Sequence, residues 1–430
     1  MPAVDVTERA YADALDSSDP LRDFRLQFLP FPDVGDDELI YLDGNSLGRP
    51  TIGALDAIND LVAREWAAGV GSWGEPSRSG RPAWIELPAL VGDVIGAQLL
   101  GAAAGQTLVC DSTTVNLYKL AAAALDARPG RRTIITDAAN FPTDRYVLEG
   151  LAAARGLRVH YVEVETLAGC SASDLPLGTD TALVCLSHVD YRSAAIADVA
   201  GITRAAHDAG ALVLWDLCHS VGSVPITLDA DDVDLAVGCT YKYLDGGPGA
   251  PAFLYVRKEL QTTLRQPIWG WFGQRDQFAM GPAYDPAPTI DRFATGTPNI
   301  FGLTSVEAGV TLLAAAGIDA LRAKGMALTS YLIELCSAWL APLGFELASP
   351  RDATLRGSHV SLRHPAAFQL CLALRENRVV PDYREPDLIR CGLSALTTSF
   401  AEVHEAMRRL RDLTTSGHYL EFAATRSRVT

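Results

Sequence analysis

The sequence predicts an α/β protein: a large domain with a mostly parallel sheet between helices, followed by a smaller α+β domain at the C-terminus. Two observations carry this. From residue 107 short apolar runs alternate with helical patterns at the interval of strand–helix units. Beyond about residue 305 the pattern changes to one long amphipathic helix and then short strands and helices. At 430 residues the chain is too long for one small core. The expected division is 1–48, an N-terminal segment packing with the small domain; 49–305, the large domain; and 306–430, the small domain.

Composition narrows the function. The chain is 48% hydrophobic and 20% charged, as soluble enzymes are. Its net charge of −16 disfavours nucleic acid and anionic membrane surfaces as partners. No apolar run approaches the ~20 residues that span a bilayer. The N-terminus, MPAVDVTERAYADALDSSDP, is acidic and helix-like, without the basic and apolar parts of a signal peptide. The eight cysteines are scattered without a CxxC pair, mostly in apolar segments such as those of Cys185, Cys239, Cys336 and Cys371. Reduced, buried thiols and a cytoplasmic location are expected, with neither a metal site nor a disulfide framework.

In chain order, a polar approach leads to Tyr41–Pro50, YLDGNSLGRP. Its cluster Asp43, Gly44, Asn45 and Ser46 is either a turn that caps the helical pattern Ile52–Trp66 or a turn whose amides meet an anion. Val70–Trp84, VGSWGEPSRSGRPAW, reads as a loop with two exposed tryptophans, suited to a pocket wall or to a partner subunit. Strands are expected at Thr107–Cys110, Thr133–Thr136, Arg158–Val164, Ala182–Leu186 and Ala211–Trp215. Helices are expected from Ser112 to about Asp126, over Arg145–Arg155 and over Ile196–Ala209. An apolar run from Asp234 to Cys239 precedes Lys242, and Ala252–Val256 follows a Gly/Pro-rich turn. Further on come a helix from Leu303, the amphipathic segment Asp319–Leu340, and short elements at Phe345–Leu347, Ser358–Leu362, Ala366–Glu376, Leu388–Cys391 and Phe400–Leu413.

Ligands of such sheets bind beyond the carboxyl ends of the strands, so the polar residues there form the candidate site. Ser112-Thr113-Thr114 opens a helix, whose free amides and dipole suit a phosphate. Phe141-Pro142-Thr143-Asp144, Ser187-His188, Asp216 with His219, and Lys242 end the strands that follow. Neither a GxxxxGK loop nor a GxGxxG fingerprint is present. Ser187, His219 and Asp216 can be written as a hydrolase triad, but no GxSxG elbow surrounds the serine. Asp216 and His219 lack a recognisable third metal ligand. An aspartate at one strand end, a lysine on a tight turn and a phosphate-suited helix start are what pyridoxal phosphate requires. Lys242 would hold it as a Schiff base, Asp216 would pair with the pyridinium nitrogen, His219 or Phe141 would lie against the ring, and Thr113-Thr114 would take the phosphate. WGWFGQ (Trp269–Gln274) and FATGTPNI (Phe293–Ile300) fit loops that close over a cofactor edge. Arg390, in the apolar run LIRCGLS, calls for a partner: a substrate carboxylate or a structural acid.

Taken together, YLDGNSLGRP, STTVNL, FPTD, LSHVDYRSA, WDLCHSVG, GCTYKYLDGGPGAPAFLYV, GWFGQ, FATGTPNI and IRCGLS resemble the kynureninase family in order and spacing, from about Tyr41 onward. The resemblance implies a homodimer of the aspartate aminotransferase fold type. It also implies pyridoxal 5'-phosphate, and cleavage of kynurenine to anthranilate and alanine in tryptophan catabolism and NAD biosynthesis. By matching position, it makes Lys242 the Schiff-base lysine and proton carrier at the α-carbon, Asp216 the pyridinium partner, and Tyr241 the acid/base for later protonations. It places His219, Ser187 and a stacking Phe141 along the ring, with Thr113, Thr114, Asp144, Tyr241, Trp271 and Thr297 around the rest; the last two reach the partner subunit's phosphate. Arg390 resembles the residue that binds the substrate carboxylate, with Asn45 and Trp73 nearby. Gly296-Thr297 resembles the form of enzymes preferring kynurenine over its 3-hydroxy derivative. The chain departs from the family at Asp190, Asp245, Gln274 and Ala395-Leu396-Thr397, which bears on the acyl group cleaved. A lyase or hydrolase of the same fold acting on another γ-oxo or sulfur amino acid is the alternative; a desulfurase would need a mobile-loop cysteine, whereas Cys371 and Cys391 sit in apolar runs.

Overall fold

The parallel sheet forms where the sequence places its fully apolar runs. The computed structural model describes residues 5–31, 39–68, 70–77, 80–165 and 167–423. The polar approach at 32–38, with Arg78 and Ser79 of the tryptophan loop, lies outside the described residues. The chain opens with α1 (Arg9–Ser18), β1 (Ile40–Tyr41), α2 (Ile52–Asp60) and α3 (Leu87–Ile95). Strand and helix then alternate through β2 (Thr107–Val109), α4 (Thr113–Asp126), β3 (Thr133–Asp137), α5 (Pro142–Arg155) and β4 (Arg158–Val162). The large sheet is completed by β5 (Thr181–Ser187), α6 (Val199–Asp208), β6 (Leu212–Asp216), β7 (Leu235–Gly238) and β8 (Phe253–Val256).

Spatially the seven strands run β2-β8-β7-β6-β5-β3-β4. Only β8 is antiparallel to its neighbours. Because side chains alternate across a strand, β6 feeds two cores. Val213 and Trp215 join the cluster containing Val91, Ile202 and Val306, while Leu212 and Leu214 join the one containing Leu117, Leu120 and Leu148. Helices therefore cover both faces, which is why the central strands read as unbroken apolar runs. The outer strand β4 instead carries Arg158 and His160, polar side chains that blunt an exposed edge.

The second half contains α7 (Ile300–Ala316), α8 (Ile318–Leu335), β9 (Glu346–Leu347), β10 (His359–Arg363), α9 (Ala367–Glu376), β11 (Val379–Val380), β12 (Asp382–Arg384), β13 (Leu388–Gly392) and α10 (Phe400–Ser416). Its antiparallel sheet has the order β12-β13-β10-β9 and its own core, to which Leu328, Leu332, Val360, Ile389 and Val403 belong. The N-terminal stretch packs here: β1 pairs in parallel with β11, and Asp43 bridges to Gly392. The Asp16 carboxylate of α1 accepts the first free amides of α10, from Phe400 (2.8 Å) and Ala401 (2.9 Å).

Three sequence readings change. The helix α3 is not evident from its sequence, where a glycine and a proline interrupt a short apolar stretch. Trp84 is buried, not exposed, because its indole N–H donates to the buried Glu65 carboxylate (2.8 Å), and Trp73 packs edge-on against it at 5.3 Å. One helix, α8 with its continuation to Leu343, is long and apolar enough to cross a membrane by length and composition, at 26 residues. It packs against α10 and β10 as the central helix of the small sheet's core.

Docking of the N-terminal helix is testable through its cap. Asp16→Ala should lower the unfolding free energy by about 1–2 kcal/mol in urea titration; an unchanged midpoint would mean that Asp16 does not cap α10.

Candidate active site

Lys242 lies on the turn after β7 and is 9% exposed. Its Nζ is 3.2 Å from Nε2 of His219 and about as far from the Phe141 and Tyr241 rings, 6.0 and 5.8 Å from their centroids. The turn is closed by close backbone approach. A Cβ at Gly48 would meet the Lys242 carbonyl at 2.3 Å, and the Gly48 amide donates to the carbonyl of Tyr241 (2.7 Å). His219 is fully buried; burial first, and then the Lys242 charge, pushes its pKa well down, so it is a neutral acceptor for the ammonium.

Asp216 ends β6, where its Oδ1 accepts the amide of Cys218 (2.7 Å). Asp144, in the first turn of α5 after β3, two strands along from β6, is 1% exposed. Burial, reinforced by the Asp216 charge and opposed by Lys242, raises the Asp144 pKa well above the usual carboxylate range. Ser187 donates to the Asn140 side chain (2.7 Å), and Phe141 packs edge-on against Tyr191 (5.2 Å).

Thr113 and Thr114 open α4 behind Ser112, whose hydroxyl caps the amide of Val115 (3.4 Å). A cavity of about 410 Å³ lies here, with Ser112, Thr113, Tyr241, Gly296 and Thr297 in its wall. Burial raises the pKa of the Tyr241 phenol, which is protonated at neutral pH. A Cβ at Gly296 would meet nothing within 4 Å. Trp271 is 42% exposed, its ring set against Phe272 and Phe278 on the surface. The structure does not bring Trp271 or Trp73 to Lys242 within this chain: the first faces outward, the second is committed to Trp84.

The small sheet supplies the other wall. Arg390 is fully buried and its charge is met by Asp382, its cross-strand neighbour, which also pairs with Arg384 (2.7 Å). The structural ion pair is therefore present. Arg390 also donates to Ser46 Oγ (2.9 Å) and the Tyr191 carbonyl (2.5 Å), yet its Nε has no partner. Asn45, fully buried, has neither amide atom bonded; Gly392 makes room for it, since a Cβ there would lie 2.0 Å from Asn45 Oδ1. His359, opposite Gly392 in the ladder, is fully buried, has no bonded ring nitrogen and stands 5.7 Å from the His219 ring.

Orphaned buried polar atoms are rare. Among those in this chain, several lie around Arg390 (Arg390 Nε, Asn45, His359) and one is Asp144 Oδ2. One group offers donors for a carboxylate, the other an acidic pair for a protonated ring nitrogen, and the start of α4 offers amides for a phosphate. The donor set therefore fits pyridoxal phosphate with an amino acid.

Sequence reasoning missed His359 and the ion pair that frames the phosphate end. Lys119, fully buried on α4, donates to Asp111 (2.7 Å) and to the Phe293 carbonyl (2.7 Å). The second Asp111 oxygen accepts the Thr295 hydroxyl (2.8 Å). This fixes the start of α4 against the loop carrying Gly296 and Thr297. No spacing in the sequence signals it, because the partners are 174 to 184 positions from the loop.

Three departures have structural roles. Asp190 Oδ1 closes its own turn on the amide of Ser193 (2.6 Å) and its hydroxyl (2.7 Å). Asp245, with φ at 54°, accepts the amide of Arg49 (3.0 Å). Gln274 accepts the Asp285 amide (2.6 Å) and bonds the Ala283 carbonyl (3.3 Å), holding a surface loop. Leu396 is buried in the large core.

Comparison with known proteins agrees with this geometry. Residues 321–410 match the kynureninase C-terminal domain and 95–365 match aminotransferase class-V. A kynureninase of Pseudomonas fluorescens is 40% identical over 93% of this chain and 94% of its own, and one of Burkholderia pseudomallei (strain 1106a) is 41% identical over 98% and 99%. Among solved structures, C-DES with glycine linked to its PLP cofactor superposes with a TM-score of 0.77 at 18% identity, covering 90% of this chain and 99% of that one. A cysteine desulfurase from Thermococcus onnurineus NA1 gives 0.74 at 18% identity, covering 88% and 95%.

Two measurements probe this framework. Lys119→Met strands Asp111 and should cost about 3–5 kcal/mol in unfolding free energy; a loss below 1 kcal/mol would show the pair to be dispensable. Burial pushes the His188 pKa down from 6.5 to about 4. Its contribution is whole above pH 6.5 and is lost as pH falls towards 4, because only the unfolded chain takes the proton there. Between those limits His188→Gln should flatten the stability profile by about 1.4 kcal/mol per pH unit relative to the unchanged chain; parallel profiles would contradict a neutral His188.

Proposed function

The chain belongs to the kynureninase family, and on that premise we propose that it hydrolyses the Cβ–Cγ bond of L-kynurenine to anthranilate and L-alanine, with pyridoxal 5'-phosphate as cofactor. The observation that carries the reading is Lys242 buried against neutral His219 in a chain 40% identical to a curated kynureninase over almost its full length.

The cofactor, when bound, supplies an electron-withdrawing ring that stabilises negative charge on the amino acid's carbons. Lys242 would attach it and, once freed, would carry the α-proton. Asp216 would pair with the ring nitrogen, with Asp144, whose pKa burial raises, beside it. Thr113 and Thr114 would bind the phosphate through the helix start. Phe141 would lie against the ring, with Ser187 and His219 along its edge. Arg390 Nε and the Asn45 amide would receive the substrate carboxylate. Tyr241 keeps its proton until a carbon needs it, and delivers it to the departing alanine fragment. Gly296 leaves space for the aryl ring, which supports kynurenine over its 3-hydroxy derivative. In a homodimer, Trp271 and Thr297 reach the partner subunit's phosphate; the outward-facing Trp271 ring supports this. The packing of the N-terminal segment 1–48 with the small domain is supported by the pairing of β1 with β11, whereas Val306, Val310 and Leu313, beyond 305, pack in the large core. The charge of −16 supports a cytoplasmic enzyme without nucleic-acid or membrane partners, and the kynurenine reading would place it in tryptophan catabolism or NAD biosynthesis. A desulfurase has no support: Cys371 and Cys391 are buried in the small core, and burial pushes the Cys391 thiol up to about 12.

Incubating the cofactor-loaded enzyme with kynurenine should release fluorescent anthranilate, faster than 3-hydroxykynurenine yields its product. Lys242→Ala should lose the borohydride-fixable link to the cofactor and about 10²–10⁴-fold in rate. A fixable link that survives the substitution would move the attachment elsewhere, and a loaded enzyme inert to kynurenine would refute the substrate.

A further inference from the structure

Away from Lys242, a pocket of about 160 Å³ is lined by Arg265, Gln266, Trp269, Tyr284, Pro286 and Arg292. We propose that it is a binding site for a small oxyanion, a carboxylate or phosphate, held between Arg292 and Arg265 and walled by the Trp269–Tyr284 pair.

Arg292 is 8% exposed, and among the described residues its guanidinium has no hydrogen-bond or ion-pair partner. The residue is largely shielded from water but its nitrogens open onto the pocket, and planar guanidinium groups are built for two-point bonding to carboxylate or phosphate. Its nearest acids are engaged elsewhere: Asp291 accepts the Thr289 hydroxyl (2.6 Å), and Asp285 pairs with Arg275 (2.7 Å). No carboxylate lines the pocket; its second charge is another guanidinium, Arg265, and the repulsion adds to burial in lowering the Arg292 pKa. Two cations facing one cavity without an acid are stabilised by an anion between them.

The remaining wall is organised. Trp269 and Tyr284 stack at 5.1 Å with 16° between their planes, closing one side. Gln266 is 3% exposed, and its carbonyl oxygen accepts the Ile268 amide (2.6 Å), which fixes this part of the lining. The volume suits a group of phosphate or single-ring carboxylate size and excludes a nucleotide. An occupant would link 265–269 to 284–292, the strand of chain that runs on to Gly296 and Thr297.

The test titrates the full-length, cofactor-loaded enzyme calorimetrically with inorganic phosphate and with benzoate. Saturable binding of at least one is expected, with Arg265→Gln and Arg292→Gln each raising its Kd about tenfold or more. Arg265 is exposed, so its variant keeps the test decisive should Arg292→Gln fold poorly. Arg390 can also take a carboxylate, but Arg265→Gln leaves that site whole, so a Kd that moves with Arg265 belongs to this pocket. No saturable binding, or a Kd unmoved by Arg265→Gln, overturns the proposal.

Discussion

The site depends on keeping an amine out of water beside a base that does not compete for its proton. His219 meets that constraint because it is itself buried among cations: Lys242 on one side, Arg390 and a neutral His359 on the other. A histidine with a carboxylate neighbour would become charged and repel the lysine. The surrounding chain serves this arrangement. Gly48 lets the N-terminal segment press onto the Lys242 carbonyl, and that same segment carries Asn45 and Ser46 to Arg390. One stretch of ten residues therefore sets the spacing between the lysine turn and the small sheet.

Charge is distributed to the same end. Asp144 and Asp216 lie at the strand ends of the large sheet, where burial raises the Asp144 pKa, and Arg384 and Arg390 lie on the small sheet. Asp382 compensates Arg390 without exhausting it, since two of the arginine's other donors are spent on Ser46 and a carbonyl and Nε is left. A fully buried arginine without Asp382 would pay desolvation alone; with it, the guanidinium is oriented before a ligand arrives. Asp43, whose carboxyl burial raises to about 6, adds a further acid close to the same group.

Legibility in the sequence followed the range of each interaction. Strand ends and helix starts are local, and Ser112, Asp216, Ser187 and Lys242 could be placed from apolar runs and turn residues alone. The two-residue strands β9 and β11 and the three-residue β12 carry too little pattern to find unaided, although the first was visible between a glycine and a polar stretch. Trp84 was read as exposed because a Gly/Pro/Ser-rich loop normally is; a single buried acceptor, Glu65, reversed that. His359 and the Lys119–Asp111–Thr295 chain depend on contacts between distant segments, which no spacing encodes.

The departures from the family divide by what their side chains touch. Asp190 bonds its own turn, Gln274 bonds a surface loop, and Asp245 bonds the backbone of Arg49 from a left-handed position that Asn and Asp share. In this chain each of the three closes a loop or turn through a hydrogen bond to backbone. The exchange at Ala395-Leu396-Thr397 differs in kind. It follows the strand of Arg390 directly, and it differs from the expected Pro-Leu-Tyr at Ala395 and Thr397, while Leu396 is unchanged and packs in the large core. A tyrosine at 397 would bring a ring and a phenol to a buried position where Thr397 has only a short side chain. Of the departures, this turn is the one that adjoins Arg390 in the chain.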